Sequence, residues 1–136
     1  MHFTHHHASP RDCARRLAGF EWQRRRRGFA PWAVLNKADD RLIAWGGLYE
    51  DPFDLGWGVE LGYAFTPAVW GQGLATELAT ACLVWADTVL RFPETWAFVH
   101  LDNSASRRVL DRVGFTAVRY VPGMERLLLN RKQFGT

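Results

Sequence analysis

Two stretches of this 136-residue chain carry residue types at spacings that can do chemistry. The first is Trp70-Gly71-Gln72-Gly73-Leu74-Ala75-Thr76-Glu77. It follows a predicted strand over residues 59–65 and opens a predicted helix over 72–90. Glycines at 71 and 73 let the backbone turn tightly and approach a ligand with no Cβ in the way. The first amides of a helix have no partner inside it, and the helix dipole adds partial positive charge there. A strand, a glycine turn and a free helix tip together make a cradle for an anion, usually phosphate. By spacing alone the run also fits a close-packed strand-to-helix turn.

The second stretch is Asn103-Ser104-Ala105-Ser106-Arg107-Arg108-Val109-Leu110, which leads on to Val113-Gly114-Phe115. Asn103 suits the N-cap of a predicted helix, and Ser106 is a polar residue in its first turn. This cap lies about thirty residues past the glycine turn, just beyond a predicted strand over 96–100. In a βαβ unit both helix tips then point to one end of the sheet, beside the strand C-termini. Open α/β sheets bind ligands there.

The remaining elements have to hold these two tips in place. Ser9-Pro10-Arg11-Asp12 reads as a helix start, with Cys13, Leu17 and Phe20 on one face and Gly28 as a left-handed C-cap. Trp32–Leu35 and residues 41–49 read as paired strands, with Gly46-Gly47 marking a bulge or a close backbone approach. Short connections make these and the 59–65 strand an antiparallel meander, whereas 59–65 and 96–100 should be parallel. Leu74, Leu78, Cys82, Trp85 and Val89 form an apolar stripe read as core. Residues 115–120 and 125–129 read as a hairpin across Pro122-Gly123. The expected fold class is a mixed α/β sheet flanked by helices, in one domain over 1–136 with a flexible end at 1–8.

Composition narrows the function classes. Apolar residues make up 48%, which fits a globular chain, and no run of 18 apolar residues suggests a membrane span. Cys13 and Cys82 lack framework spacing and read as reduced thiols of a cytoplasmic protein. The net charge is +3, with four arginines in a row at Arg24–Arg27. No aromatic interleaving accompanies the run, so it reads as a solvated helix end rather than a nucleic-acid patch. His5, His6 and His7 read as a mobile end, and no HExxH or CxxC pattern exists, so no metal is expected.

Together these motifs resemble the GNAT acetyltransferases, and within them the branch similar to RimJ/RimL ribosomal-protein N-terminal acetyltransferases. The resemblance rests on Glu60-Leu61-Gly62-Tyr63, the Trp70–Glu77 run, Asp102 through Leu110, and Val113-Gly114-Phe115. Trp32-Ala33-Val34 and Leu42 through Leu48 look like the family's second and third strands. It implies a GNAT-like fold with a central parallel pair of splayed strands. The family's first strand and helix have no counterpart before residue 9; the chain reads as a natural short form, as one that starts late, or as one that borrows an edge from a partner chain, and the open edge strand makes a homodimer one expectation.

The resemblance implies acetyl transfer from acetyl-CoA to a primary amine, a peptide N-terminus or a small molecule. It puts the CoA diphosphate on Gly71, Gln72, Gly73, Leu74, Ala75 and Thr76, and the pantetheine arm along Tyr63, Ala64 and Phe65. Asn103 and Ser106 would face the thioester, and Arg107 or Arg108 a nucleotide phosphate. Glu60 is the candidate base, or else only binds the substrate cation; Ser106 is the candidate proton donor ahead of Tyr63, or else only bonds CoA. Glu50, Asp51 and Asp54 form an acidic loop that would attract a cationic acceptor or is ordinary solvated charge. The competing classes are a catalytically weak CoA-binding module and a basic nucleic-acid binder.

Overall fold

A computed structural model describes residues 10–50 and 58–132. The expected Ser9 cap, the His5–His7 tract, the expectation about the family's first strand and helix, and Asp51 and Asp54 concern positions outside the described residues, as do the side chains of Cys13 and Leu17. In chain order the elements are α1 (Pro10–Arg27), β1 (Trp32–Leu35), β2 (Leu42–Tyr49), β3 (Glu60–Phe65), a 3₁₀ turn (Pro67–Val69), α2 (Leu74–Trp85), a π-helical turn (Ala86–Leu90), β4 (Glu94–His100), α3 (Ser104–Arg112), β5 (Thr116–Val121) and β6 (Arg126–Lys132). The strands form one sheet in the order β1-β2-β3-β4-β6-β5. Every neighbouring pair is antiparallel except β3 and β4. The mixed α/β architecture and its central parallel pair are as expected.

Strand alternation sorts the sheet into two faces. Leu48, Leu61, Ala97, Val99 and Leu129 face Ala79, Cys82 and Leu83 of α2 and Leu110 of α3, and this is the core. Gly46 lies on that face because the packing there leaves no room. A Cβ at 46 would sit 2.7 Å from both Leu78 Cδ2 and Tyr63 Cβ. The glycine pair therefore marks a close approach, and the β2–β3 register runs through it without a bulge. On the opposite face the Phe20 ring of α1 meets Tyr49 edge-on at 5.5 Å. Buried Gln23 anchors α1 there, donating to the Glu50 carbonyl and accepting from the Glu50 amide at 2.9 Å.

The arginine run is engaged within the chain. Arg24 and Arg25 donate to Glu21, whose carboxyl is held down at about 2, mainly by the hydrogen bond from Arg24. Arg26 lies over the Trp22 ring, and Arg27 covers Phe29 and pairs with Glu50. Gly28 takes φ +81° and its amide returns to the Arg24 carbonyl at 3.0 Å, which is the expected C-cap.

The second helix departs from expectation at its end. Regular α-helix stops at Trp85, and the chain widens into the π turn. A π turn adds about one residue per turn, so the helical stripe loses phase. Val89, expected in the core, is 66% exposed, and Leu90 packs against the core instead. The widened turn presents Asp87 to Arg131 of β6, which donates through two nitrogens at 3.0 and 2.8 Å. Arg131 Nε also donates to the Val113 carbonyl at the end of α3. One guanidinium, 6% exposed, thus ties three elements together. The strand edges also shift: β4 begins at Glu94 and β6 runs to Lys132, because Glu94 pairs with Lys132 across the ladder.

Two predictions follow from these buried groups. Replacing Asp87 with Ala removes the carboxylate facing a buried guanidinium and should cost about 3 kcal/mol in urea unfolding, whereas replacing Asp87 and Arg131 together by apolar residues should recover much of that loss. Burial also pushes the fully buried Cys82 thiol up to about 11. The folded state then keeps a proton that the unfolded chain releases near pH 9.0. The contribution is intact below that pH and falls as pH rises through 11, by about 2–3 kcal/mol. Unfolding free energy measured across that range should carry this slope, and Cys82→Ala should lessen it, leaving the part that comes from the Tyr63 phenol, which burial also pushes up.

Candidate active site

The site begins where β3 and β4 part. Among the described residues the two strands share a single register pair, Glu60 with Trp96, closed by the Trp96 amide on the Val59 carbonyl at 2.8 Å. Beyond it β3 stays paired with β2 along its whole length, and β4 stays paired with β6. Each strand follows its outer partner, so the inner edges separate into a V. The backbone groups of one residue point to one side of a strand, and the side alternates. Val59 bonds toward β4 and Thr66 toward β2, so Leu61 and Tyr63 turn their N–H and C=O into the gap. Ala64 turns its own toward β2, opposite Trp45. The Phe65 carbonyl is capped by Trp70 Nε1 at 2.9 Å, which fastens the glycine turn to the strand end.

Both helix tips open into this gap. Gly71 and Gly73 take φ +80° and +76°, and a Cβ at either would touch nothing within 4 Å. Glycine is needed there for the backbone conformation rather than for space. Gly73 is the N-cap of α2 and offers no side-chain cap, so the first amides of α2 keep their polarity for a ligand. The α3 tip is built differently. Asn103 Oδ1 accepts from the Ser106 amide at 3.1 Å, which is the expected cap. The cap turns Ser106 toward β3, where its Oγ lies 2.9 Å from Tyr63 Oη. Burial pushes the Tyr63 phenol up from its ordinary value, and the Ser106 hydrogen bond opposes this.

The resulting cleft has a volume of about 590 Å³. Of the residues singled out from the sequence, Tyr63, Ala64, Phe65, Gly71, Gly73, Leu74, Ala75, Thr76, Asn103 and Ser106 line it. Gln72 does not, since it stands between two glycines that turn the chain. Arg107 does not either; all three arginines of α3 are exposed, and it is Arg108 and Arg112, one helical turn apart, that line the wall. Glu60 is 6% exposed and stands one residue outside the lining, at the closed end of the V, on the strand face opposite Tyr63. Sequence reasoning missed Leu61, which the strand parity implied, and Phe98 and His100, which no motif marks.

The Acetyltransferase (GNAT) domain model matches residues 1–116. The chain belongs to the GNAT acetyltransferase family. YkkB, an uncharacterised protein of Bacillus subtilis, is 29% identical over 100 residues, which is 69% of this chain and 58% of that protein. The chain therefore spans less than two thirds of that curated relative. A GNAT-family acetyltransferase structure from Bordetella pertussis superposes with TM-score 0.82 at 22% identity, covering 90% of this chain and 77% of that one. A ribosomal-protein-S5-alanine acetyltransferase from Vibrio fischeri superposes with TM-score 0.73 at 17% identity, covering 97% and 78%. At these identities the structures show the shared GNAT fold.

The two tips should respond differently to substitution. Gly73→Ala has no steric clash to relieve and should cost about 1–2 kcal/mol from the left-handed backbone alone. Asn103→Ala should cost about 1 kcal/mol by loss of the cap. Urea unfolding checks both, and Gly73→Asn should retain more stability than Gly73→Ala, since asparagine tolerates that conformation.

Proposed function

We propose that this GNAT domain transfers the acetyl group of acetyl-CoA to a primary amine, on a peptide N-terminus or a small molecule. The observation that carries the reading is the cleft itself, where two helix tips meet the parted inner edges of β3 and β4. Its parts suit the donor molecule in order. Amides at Gly73, Leu74 and Ala75 would hold a diphosphate, with the Thr76 hydroxyl beside them. The inward N–H and C=O groups of Leu61 and Tyr63 would pair with an amide-rich arm, and Arg108 and Arg112 would meet phosphate charge. When bound, acetyl-CoA supplies an activated carbonyl. The protein contributes position, hydrogen-bond donors and a route for protons.

A primary ammonium titrates near ~10, so an attacking amine must first lose a proton. Glu60 is our candidate for receiving it, directly or through water. Its carboxyl is buried at the point where the strands meet, on the face away from α2, and an acceptor arriving from that side would reach it. A hydroxyl on the other side, from Ser106 or Tyr63, would serve the departing sulfur. The RimJ/RimL-like reading rests on the Trp70–Glu77 and Asp102–Leu110 motifs, and the cytoplasmic reading on cysteine usage; among the described helices none is long and apolar enough to cross a membrane.

Calorimetry with acetyl-CoA and with CoA should show one site per chain. Thiol release from acetyl-CoA over a panel of peptides and small amines should then identify the acceptor. Binding with no turnover on any amine would favour a CoA-binding module instead. With an acceptor in hand, Glu60→Gln should lower kcat by about 100-fold while leaving CoA affinity nearly unchanged. Unchanged turnover in that variant would remove Glu60 from the proton route.

A further inference from the structure

Two hydroxyls meet inside the cleft, and they come from opposite walls. Tyr63 Oη reaches across from β3 to within 2.9 Å of Ser106 Oγ on α3. The phenol is held by packing at its base. Its Cβ occupies space that only a glycine at 46 leaves open, and its ring meets Phe65 edge-on at 6.1 Å. Ser106 is held through its own amide by the Asn103 cap. Neither hydroxyl can swing far without breaking one of these supports.

Resting on the acetyl-transfer reading, we propose that the Tyr63 phenol, and not the Ser106 hydroxyl, returns the proton to the leaving thiolate, with Ser106 orienting the phenol and resupplying it. The accounting closes. As the amine nitrogen bonds to the carbonyl carbon, the C–S bond breaks and its electron pair stays on sulfur. Tyr63 Oη–H gives its proton to that sulfur. The phenolate regains its proton from water at the cleft mouth in one concerted exchange, Ser106 Oγ giving its proton to the phenolate as it accepts one from the water, so no serine alkoxide forms. The nitrogen loses its proton to Glu60 or to water, so nothing is oxidised or reduced.

Acidity favours the phenol over the serine. A phenol titrates near ~10 and an alkyl thiol near ~8.5, so the two are close enough for efficient transfer. An aliphatic hydroxyl is a far weaker acid. Burial keeps Tyr63 protonated through the neutral range, and the Ser106 hydrogen bond stabilises the phenolate once it forms. The other titratable groups lining the cleft are His100 on β4, Asp102 just before α3, and Arg108 and Arg112 on α3; the lining residues of α2 are Leu74, Ala75 and Thr76.

The test compares Tyr63→Phe with Ser106→Ala. Phe keeps the ring that packs against Phe65, and circular dichroism melting checks that both variants fold. In Tyr63→Phe, kcat on the acceptor found above should fall about 100-fold with CoA affinity by calorimetry within about threefold of wild type. Ser106→Ala should lose about tenfold, less than Tyr63→Phe, because the phenol remains and water can replace the relay. A second readout needs no acetyl-CoA. Absorbance titration of the three tyrosines should assign one transition to Tyr63 by its loss in Tyr63→Phe, and Ser106→Ala should move that transition to higher pH. Turnover within about threefold of wild type in Tyr63→Phe, a larger loss in Ser106→Ala, or an unmoved tyrosine transition would each overturn the assignment while leaving acetyl transfer intact. A wild-type chain that acetylates no amine would sink both readings together.

Discussion

The parting of β3 from β4 governs what the rest of this fold can do. A parallel pair joined along its full length would close its inner edges with hydrogen bonds and leave nothing for a ligand. Here one register pair, Glu60 with Trp96, holds the strands at their base. Past it, the β2–β3 and β4–β6 ladders run on in diverging directions. The backbone groups of Leu61 and Tyr63 are thereby turned toward a gap. Buried N–H and C=O groups need partners, so a gap lined by them suits an amide-bearing guest or water.

Around that gap the glycines do two separate jobs. Gly71 and Gly73 have open space where a side chain would go, and supply a left-handed turn that aims the α2 amides. Gly46 and Gly62 have no space to spare. A Cβ on Gly62 would lie 2.7 Å from the Tyr49 hydroxyl, as one on Gly46 would from Tyr63 Cβ. The first pair shapes the anion cradle, and the second lets two tyrosines lie against the sheet on opposite faces of β3. Both kinds of glycine look alike in the chain as written.

Rigidity at the back of the site comes from a polar clamp rather than from more apolar area. Arg131 joins the π turn, the end of α3 and β6 through Asp87 and the Val113 carbonyl. A buried pair of this kind adds little net stability, because desolvation offsets its attraction, but it penalises any other arrangement of the three elements. Since α2 and α3 carry the two tips, holding their far ends also holds the distance between the tips.

Much of the arrangement was legible in the chain as written. Glycine spacing, the Asn103 cap, the strand lengths and the motif order imply a βαβ unit with two tips at one end, since these depend on local backbone preference and on the right-handed geometry of crossovers. The arginine run was also readable as a helix end, because cations favour a helix C-terminus and a glycine follows at 28. The phase slip at the π turn was not, since Asp87 forms its bond with a residue 44 positions distant. Nor was the choice of Arg108 over Arg107, which depends on the rotation of α3 against the sheet. The meeting of Tyr63 with Ser106 was hidden for the same reason. Local preference sets which way each element starts, but the distance between two side chains 43 residues apart is fixed only when the sheet, its splay and both helices are packed together.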